Sequence, residues 1–157
     1  MKLVSYELSG TWLPGILLDA TVYDVAKLLE ASGADAHPIS SISALLRKYG
    51  SALPELSRRL TAAARTNPSA AVGPLATTRL GPPVVDPAKV LCIGLNYNDH
   101  VAETGRALPT HPDIFAKFAS TLIGPSDEIR CSTITQNLDF EGELAIVMGR
   151  QCRNVTA

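Results

Sequence analysis

Two short strand-like runs, residues 2–8 and 12–18, are separated by the turn signal Ser9-Gly10, and the pattern predicts a hairpin, with Pro14-Gly15 weakening its second strand. The period changes after Asp19. Val22, Val25, Leu28 and Leu29 recur at helical spacing and the pattern stops near Gly33, which predicts a first helix over 22–29. Two more helical patterns cover 41–48 and 54–65, parted by Tyr49-Gly50. Residues 67–87 then hold Asn67-Pro68, Gly73-Pro74, Gly81-Pro82-Pro83 and Pro87, a density of breakers that suits a crossing segment better than a core element.

The boundary of a second domain is expected near Asp86. Residues 89–93 form an apolar run between Pro87 and Gly94, read as a buried strand that delivers the loop Gly94-Leu95-Asn96-Tyr97. A short strand is expected over 113–118, and Leu122-Ile123-Gly124-Pro125 leads into a turn. Residues 138–148 give the longest strand signal, and the run 144–148 reads as buried on both faces, as in a central strand. Gly149-Arg150 marks a turn, after which Asn154-Val155-Thr156-Ala157 resembles the approach to a helix. The pattern supports an α+β protein: a small front domain over 1–85, chemically quiet, followed by part of a second domain over 86–157.

Composition narrows the partners. Lys and Arg number 14 against 15 Asp and Glu among 157 residues, and neither sign is gathered into a block, so nucleic acid and an anionic membrane surface are not expected partners. The apolar runs are far shorter than the roughly 18 residues of a membrane span, and the charged start lacks the apolar core of a signal peptide. A cytoplasmic protein is the expectation. Cys92, Cys131 and Cys152 lack the paired spacing of a zinc or redox site; Cys92 lies in an apolar run and reads as a small hydrophobe.

Candidate chemistry lies in the second part. On an extended strand Asp139, Glu141 and Glu143 share one face, and Glu141 and Glu143 stand about 6.6 Å apart along it. Two carboxylates that close repel unless a cation neutralises them, and oxygen donors favour Mg²⁺, Mn²⁺ or Ca²⁺ over zinc. On spacing alone, a strand with a wet, merely solvated acidic face is the more ordinary reading, because alternating acids on strands are common. The stretch Asn96-Tyr97-Asn98-Asp99-His100-Val101-Ala102-Glu103, if helical, brings His100 and Glu103 together at i and i+3. A carboxylate beside an imidazole orients it and favours its protonated form, which suits a histidine that accepts a proton from water or substrate; a plain surface pair is the alternative.

Taken together and in order, Lys89-Val90-Leu91-Cys92-Ile93-Gly94-Leu95-Asn96-Tyr97-Asn98-Asp99-His100, Ile114-Phe115-Ala116-Lys117-Phe118-Ala119-Ser120, Ile123-Gly124-Pro125 and Asp139-Phe140-Glu141-Gly142-Glu143-Leu144-Ala145 resemble the fumarylacetoacetate hydrolase family over about 87–153. The first 85 residues look like the variable N-terminal domain of many bacterial members. The resemblance implies a mixed β-sandwich roll, incomplete here, a homodimer, and Mg²⁺ or Mn²⁺ held by Glu141 and Glu143. It also implies a proton-moving pair, His100 and Glu103, with Tyr97 and Lys117 bordering a keto-acid pocket. Asp139 is not implied as a ligand, and His37 and His111, each before a proline, match nothing.

The expected reaction is metal-dependent hydrolysis of a carbon–carbon bond in acylpyruvate-like diketo acids, His100 activating water. Decarboxylation, isomerisation or hydration chemistry on 2-keto acids is the implied alternative. The family also implies a third metal-binding aspartate, a substrate-binding lysine and a Gly-Thr-rich segment beyond Ala157. On that reading the chain is a fragment of a longer protein or a truncated product, and a non-catalytic remnant is the rival from another class.

Overall fold

Ser9 and Gly10 both take positive φ, 51° and 80°, the backbone that lets a two-residue loop follow the twist of the strands it joins. That loop connects β1 (Lys2–Leu8) to β2 (Thr11–Leu18), in register from Lys2↔Leu17 to Leu8↔Thr11. Asp19 and Ala20, also at positive φ, repeat the device between β2 and β3 (Thr21–Asp24). The structure, a computed structural model, describes residues 1–34 and 39–156; His37 lies outside the described residues.

Pro14 lies inside β2, yet the pairing of β2 with β3 begins only at Gly15↔Asp24. The proline's missing amide therefore costs that side of the ladder nothing. Gly15 is tightly enclosed by the neighbouring strands: a Cβ there would stand 3.1 Å from the Tyr23 carbonyl oxygen, Tyr6 Cδ1 and Val22 Cγ1 alike. Gly15→Ala is expected to destabilise the fold by about 1–3 kcal/mol through overpacking, read as a lower urea midpoint at unchanged slope.

The helix expected from Val22 begins three residues later. Thr21-Val22-Tyr23 is β-branched and aromatic, favours a pleated and half-buried surface, and forms β3 with Val22 fully buried. Asp24 then caps α1 (Val25–Ala31), its side chain accepting from the Lys27 amide at 2.7 Å. α2 (Ile42–Tyr49) starts at Ser41, whose hydroxyl accepts from the Ala44 amide at 3.1 Å. α3 (Leu53–Thr66) carries Pro54 in its first turn, where a missing N–H is harmless. Within the breaker-rich stretch, β4 (Ala71–Pro74) adds a fourth strand that the sequence reading did not expect, completing the order β1-β2-β3-β4. The core gathers Ile16 from the sheet with Val25, Leu28, Leu29, Leu45, Leu56 and Leu60 from the helices, each contributing about 1.5–3 kcal/mol by burial.

Residues Met1–Val85 and Ile123–Ala157 group into one compact unit and Asp86–Leu122 into another. This grouping differs from the sequence division at Asp86, because residues 123–127 and 149 pack on the front domain, as detailed below. The second unit holds β5 (Val90–Gly94), α4 (Asn98–Thr104) and β6 (Asp113–Lys117), the strands antiparallel from Val90↔Lys117 to Gly94↔Asp113.

Two expectations of burial are corrected. β5 is not a buried strand: Leu91 is 60% exposed, and Ile114 and Phe115 across from it on β6 are 58% and 46% exposed, since a two-stranded sheet by itself has nothing to cover its faces. Nor do residues 138–148 form a strand. Their alternation is right, but a strand also needs a ladder of backbone hydrogen bonds to a neighbouring strand, and 138–148 are not part of either sheet. Phe140, Leu144 and Ile146 are accordingly 80% exposed or more, instead of buried on both faces.

Candidate active site

β5 ends in Gly94, and Leu95 turns the chain at φ 52°. α4 then begins after Tyr97, with Asp99 in its first turn, where a negative charge favours the helix dipole. The helix stops at Gly105 in the left-handed conformation (φ 66°), and the Thr104 hydroxyl donates to the Val101 carbonyl at 2.9 Å. Val101 is buried at 2% exposure, so α4 presents one inward residue and turns its polar positions outward.

Among those polar positions, His100 and Glu103 meet as the i, i+3 spacing predicts. His100 Nδ1 stands 3.9 Å from Glu103 Oε2, with side chains 48% and 79% exposed. That distance is an ion-pair approach rather than a hydrogen bond, which runs about 2.7–3.2 Å, and water screens it. The carboxylate can orient the ring while leaving the imidazole accessible to a reactant. Tyr97 precedes the helix at 44% exposure. Lys117 ends β6 and lays its Nζ 5.5 Å from the centre of the Phe115 ring, two residues back on the same strand face. His111 is exposed, its Nδ1 3.0 Å from the Thr110 hydroxyl.

Glu141 and Glu143 belong to the other compact unit and are exposed, in a stretch without regular structure. Beside them Asp139 Oδ1 accepts from the Phe140 amide at 2.8 Å. The donor chemistry suits Mg²⁺ or Mn²⁺, because Mg²⁺ commonly takes one or two protein carboxylates and fills its remaining positions with water and substrate oxygens. Among the described residues, no group of three or more His, Cys, Asp or Glu comes together that could hold a metal. The local pair, His100 with Glu103, is thus brought together by the fold, whereas among the described residues the carboxylate pair is not gathered with a third side chain into a metal-holding group. Cys92, Cys131 and Cys152 are all free thiols. No helix among the described residues is long and apolar enough to cross a membrane.

A four-stranded antiparallel sheet backed by three helices, followed by a strand–helix–strand unit bearing a histidine–glutamate pair, defines a mixed α and β protein with a candidate proton-transfer site. Residues 89–157 match the family model for the fumarylacetoacetate (FAA) hydrolase C-terminal domain, so this segment is similar to that family. The mitochondrial oxaloacetate tautomerase fahd2 of Xenopus laevis is 47% identical over 73 residues, which are 46% of this chain and 23% of that protein. Protein Rv2993c of Mycobacterium tuberculosis is 48% identical over 84 residues, 54% of this chain and 31% of that protein. The chain therefore spans about a quarter to a third of the curated relatives it matches.

A crystal structure of a protein described as HpcE, from Mycobacterium smegmatis, superposes with a TM-score of 0.58 at 28% identity. It covers 85% of this chain and 41% of that one. Segment 89–157 cannot supply so large a share by itself, so the likeness extends into the front domain.

Proposed function

We propose that the whole protein acts on small 2-keto acids by moving a proton at the carbon next to the keto group, interconverting keto and enol forms of an oxaloacetate-like dicarboxylate. The observation that supports this reading most directly is the accessible imidazole of His100, 3.9 Å from Glu103, in a chain 47% identical over 73 residues to an oxaloacetate tautomerase. His100 takes the proton from carbon and returns it to oxygen, or the reverse, while Glu103 orients the ring. Tyr97 and Lys117 border the bound acid, the ammonium of Lys117 facing a carboxylate. Glu141 and Glu143 would hold Mg²⁺ or Mn²⁺ together with donors from elsewhere in the protein. When bound, the cation supplies positive charge against which the negative charge of an enolate can build.

The second reading is hydrolysis of a carbon–carbon bond in acylpyruvates, favoured by the family match over 89–157. It requires His100 to activate water instead of taking a proton from carbon.

One experiment separates the two. With purified whole protein and Mg²⁺, accelerated decay of the ultraviolet absorbance of enol-oxaloacetate, abolished by chelator and restored by Mg²⁺, is the expected result. Release of pyruvate from acylpyruvates with no effect on enol decay overturns the tautomerase reading in favour of the hydrolase. Neither activity, or activity indifferent to chelator, removes the enolate chemistry or the metal from the account.

A further inference from the structure

We propose that Arg79 is a latch by which the front domain fixes one end of a strap, residues 128–148, that carries Glu141 and Glu143. The guanidinium faces the Glu7 carboxylate on one side and Asp127 Oδ1, at 3.3 Å, on the other, and lies over the Trp12 ring, 5.4 Å from its centre. A planar five-donor fork can serve two carboxylates and stack on an indole at once; an ammonium cannot. Asp127 in turn closes a turn: its Oδ2 accepts from the Gly124 amide at 2.7 Å, and its own amide donates to the Gly124 carbonyl at 3.2 Å. The Gly124 amide, and after it the Arg79 guanidinium, hold the Asp127 carboxyl below the usual carboxylate range.

Backbone fit supports the same contact. A Cβ on Gly124 would come 2.3 Å from the Leu80 carbonyl oxygen, and one on Gly81 would come 3.0 Å from the Trp12 ring. Leu80 bridges to Tyr6 of β1, and the Gly81 amide donates to the Ser5 carbonyl at 2.9 Å, which ties the receiving surface to the sheet. At the far end of the strap the chain returns to the front domain, where a Cβ on Gly50 would lie 1.9 Å from the Gly149 carbonyl oxygen. Between these anchors the described backbone has neither strand nor helix, and its residues are exposed. The front domain thus does more than precede the family segment: it grips the acid-bearing stretch at both ends, with Arg79 holding the leading one.

The inference rests on contacts alone and stands whether or not the proposed chemistry is right. Its test is hydrogen exchange followed by mass spectrometry on the whole protein, comparing wild type with Arg79→Ala, Asp127→Asn and Gly124→Val. Asp127→Asn retains an oxygen for the Gly124 amide but loses the charge that faces Arg79. Arg79→Ala and Asp127→Asn should speed exchange over 123–130 by up to about 5-fold, the scale set by exposed ion pairs. Gly124→Val should do so more strongly, while α1 and α3 exchange as in wild type. Molar salt should act on wild type as Arg79→Ala does. Unchanged exchange over 123–130 in both Arg79→Ala and Asp127→Asn overturns the latch. An equal acceleration in α1 and α3 overturns it too, because Arg79 would then only stabilise the front domain.

Discussion

His100→Ala is expected to lower turnover of the whole protein on its keto-acid substrate by about 10²–10⁴-fold, the range that a positioned acid–base side chain contributes. The loss should fall on kcat more than on KM, because a proton-transfer group acts in the transition state and adds little to ground-state binding. Folding should be unaffected. His100 is half exposed and Val101, not His100, is the buried residue of α4, so circular dichroism and the unfolding midpoint should match wild type. Glu103→Gln should cost less than His100→Ala, since at 3.9 Å in water the carboxylate guides the ring without a direct hydrogen bond. A kcat within about 10-fold of wild type for His100→Ala would remove this residue from the catalytic account.

What the sequence revealed was what depends on near neighbours along the chain. The His100–Glu103 pair is visible because a single helical turn makes it, and α4 needs only its own hydrogen bonds and Gly105 to stop. The hairpin β1–β2 is visible because Ser9-Gly10 both permits the turn and sets its register. The spacing of Val22 to Val25, Leu28 and Leu29 is helical, yet Val22 lies in β3 and pairs with Leu17 of β2, and cross-strand neighbours leave no mark on local periodicity. Residues 138–148 fail for the mirror reason: the alternation is present, but the stretch joins neither sheet. The Arg79 contacts, reaching Glu7 and Asp127 across 72 and 48 positions of sequence, and the strand β4 inside a proline-rich stretch could be seen only once the chain was folded. For the candidate site this means that the His100–Glu103 pairing was legible, whereas no spacing rule says which side chains Glu141 and Glu143 would meet.

The same long-range logic yields the largest expected effect on stability, at Asp24. Its carboxylate does two jobs at the junction of sheet and helix: Oδ1 accepts from the Lys27 amide at the start of α1, and Oδ2 accepts from the hydroxyl of Tyr6, which is 1% exposed. Asp24→Ala removes the helix cap, about 0.5–2 kcal/mol, and leaves a phenol hydroxyl buried without a partner, about 1–3 kcal/mol more. Asp24→Asn keeps one acceptor oxygen for the Lys27 amide, and its NH2 can donate to the Tyr6 hydroxyl oxygen instead of accepting from it, so it should cost less. Tyr6→Phe in the Asp24→Ala background should recover part of the loss, because the orphaned hydroxyl goes with it; no recovery would show that the capping bond carries the whole effect.

The pair also sets an alkaline limit. Burial, then the hydrogen bond to Asp24 and its charge, push the Tyr6 phenol well above its ordinary value near 10. The folded state therefore holds this proton more tightly than the unfolded chain does. Stability from the pair is full below about pH 10 and declines as pH rises beyond it, where the unfolded chain ionises while the folded one resists. Tyr6→Phe should flatten that decline, measured as urea midpoints across the alkaline range. An identical decline in Tyr6→Phe and wild type would mean that other groups drive alkaline unfolding.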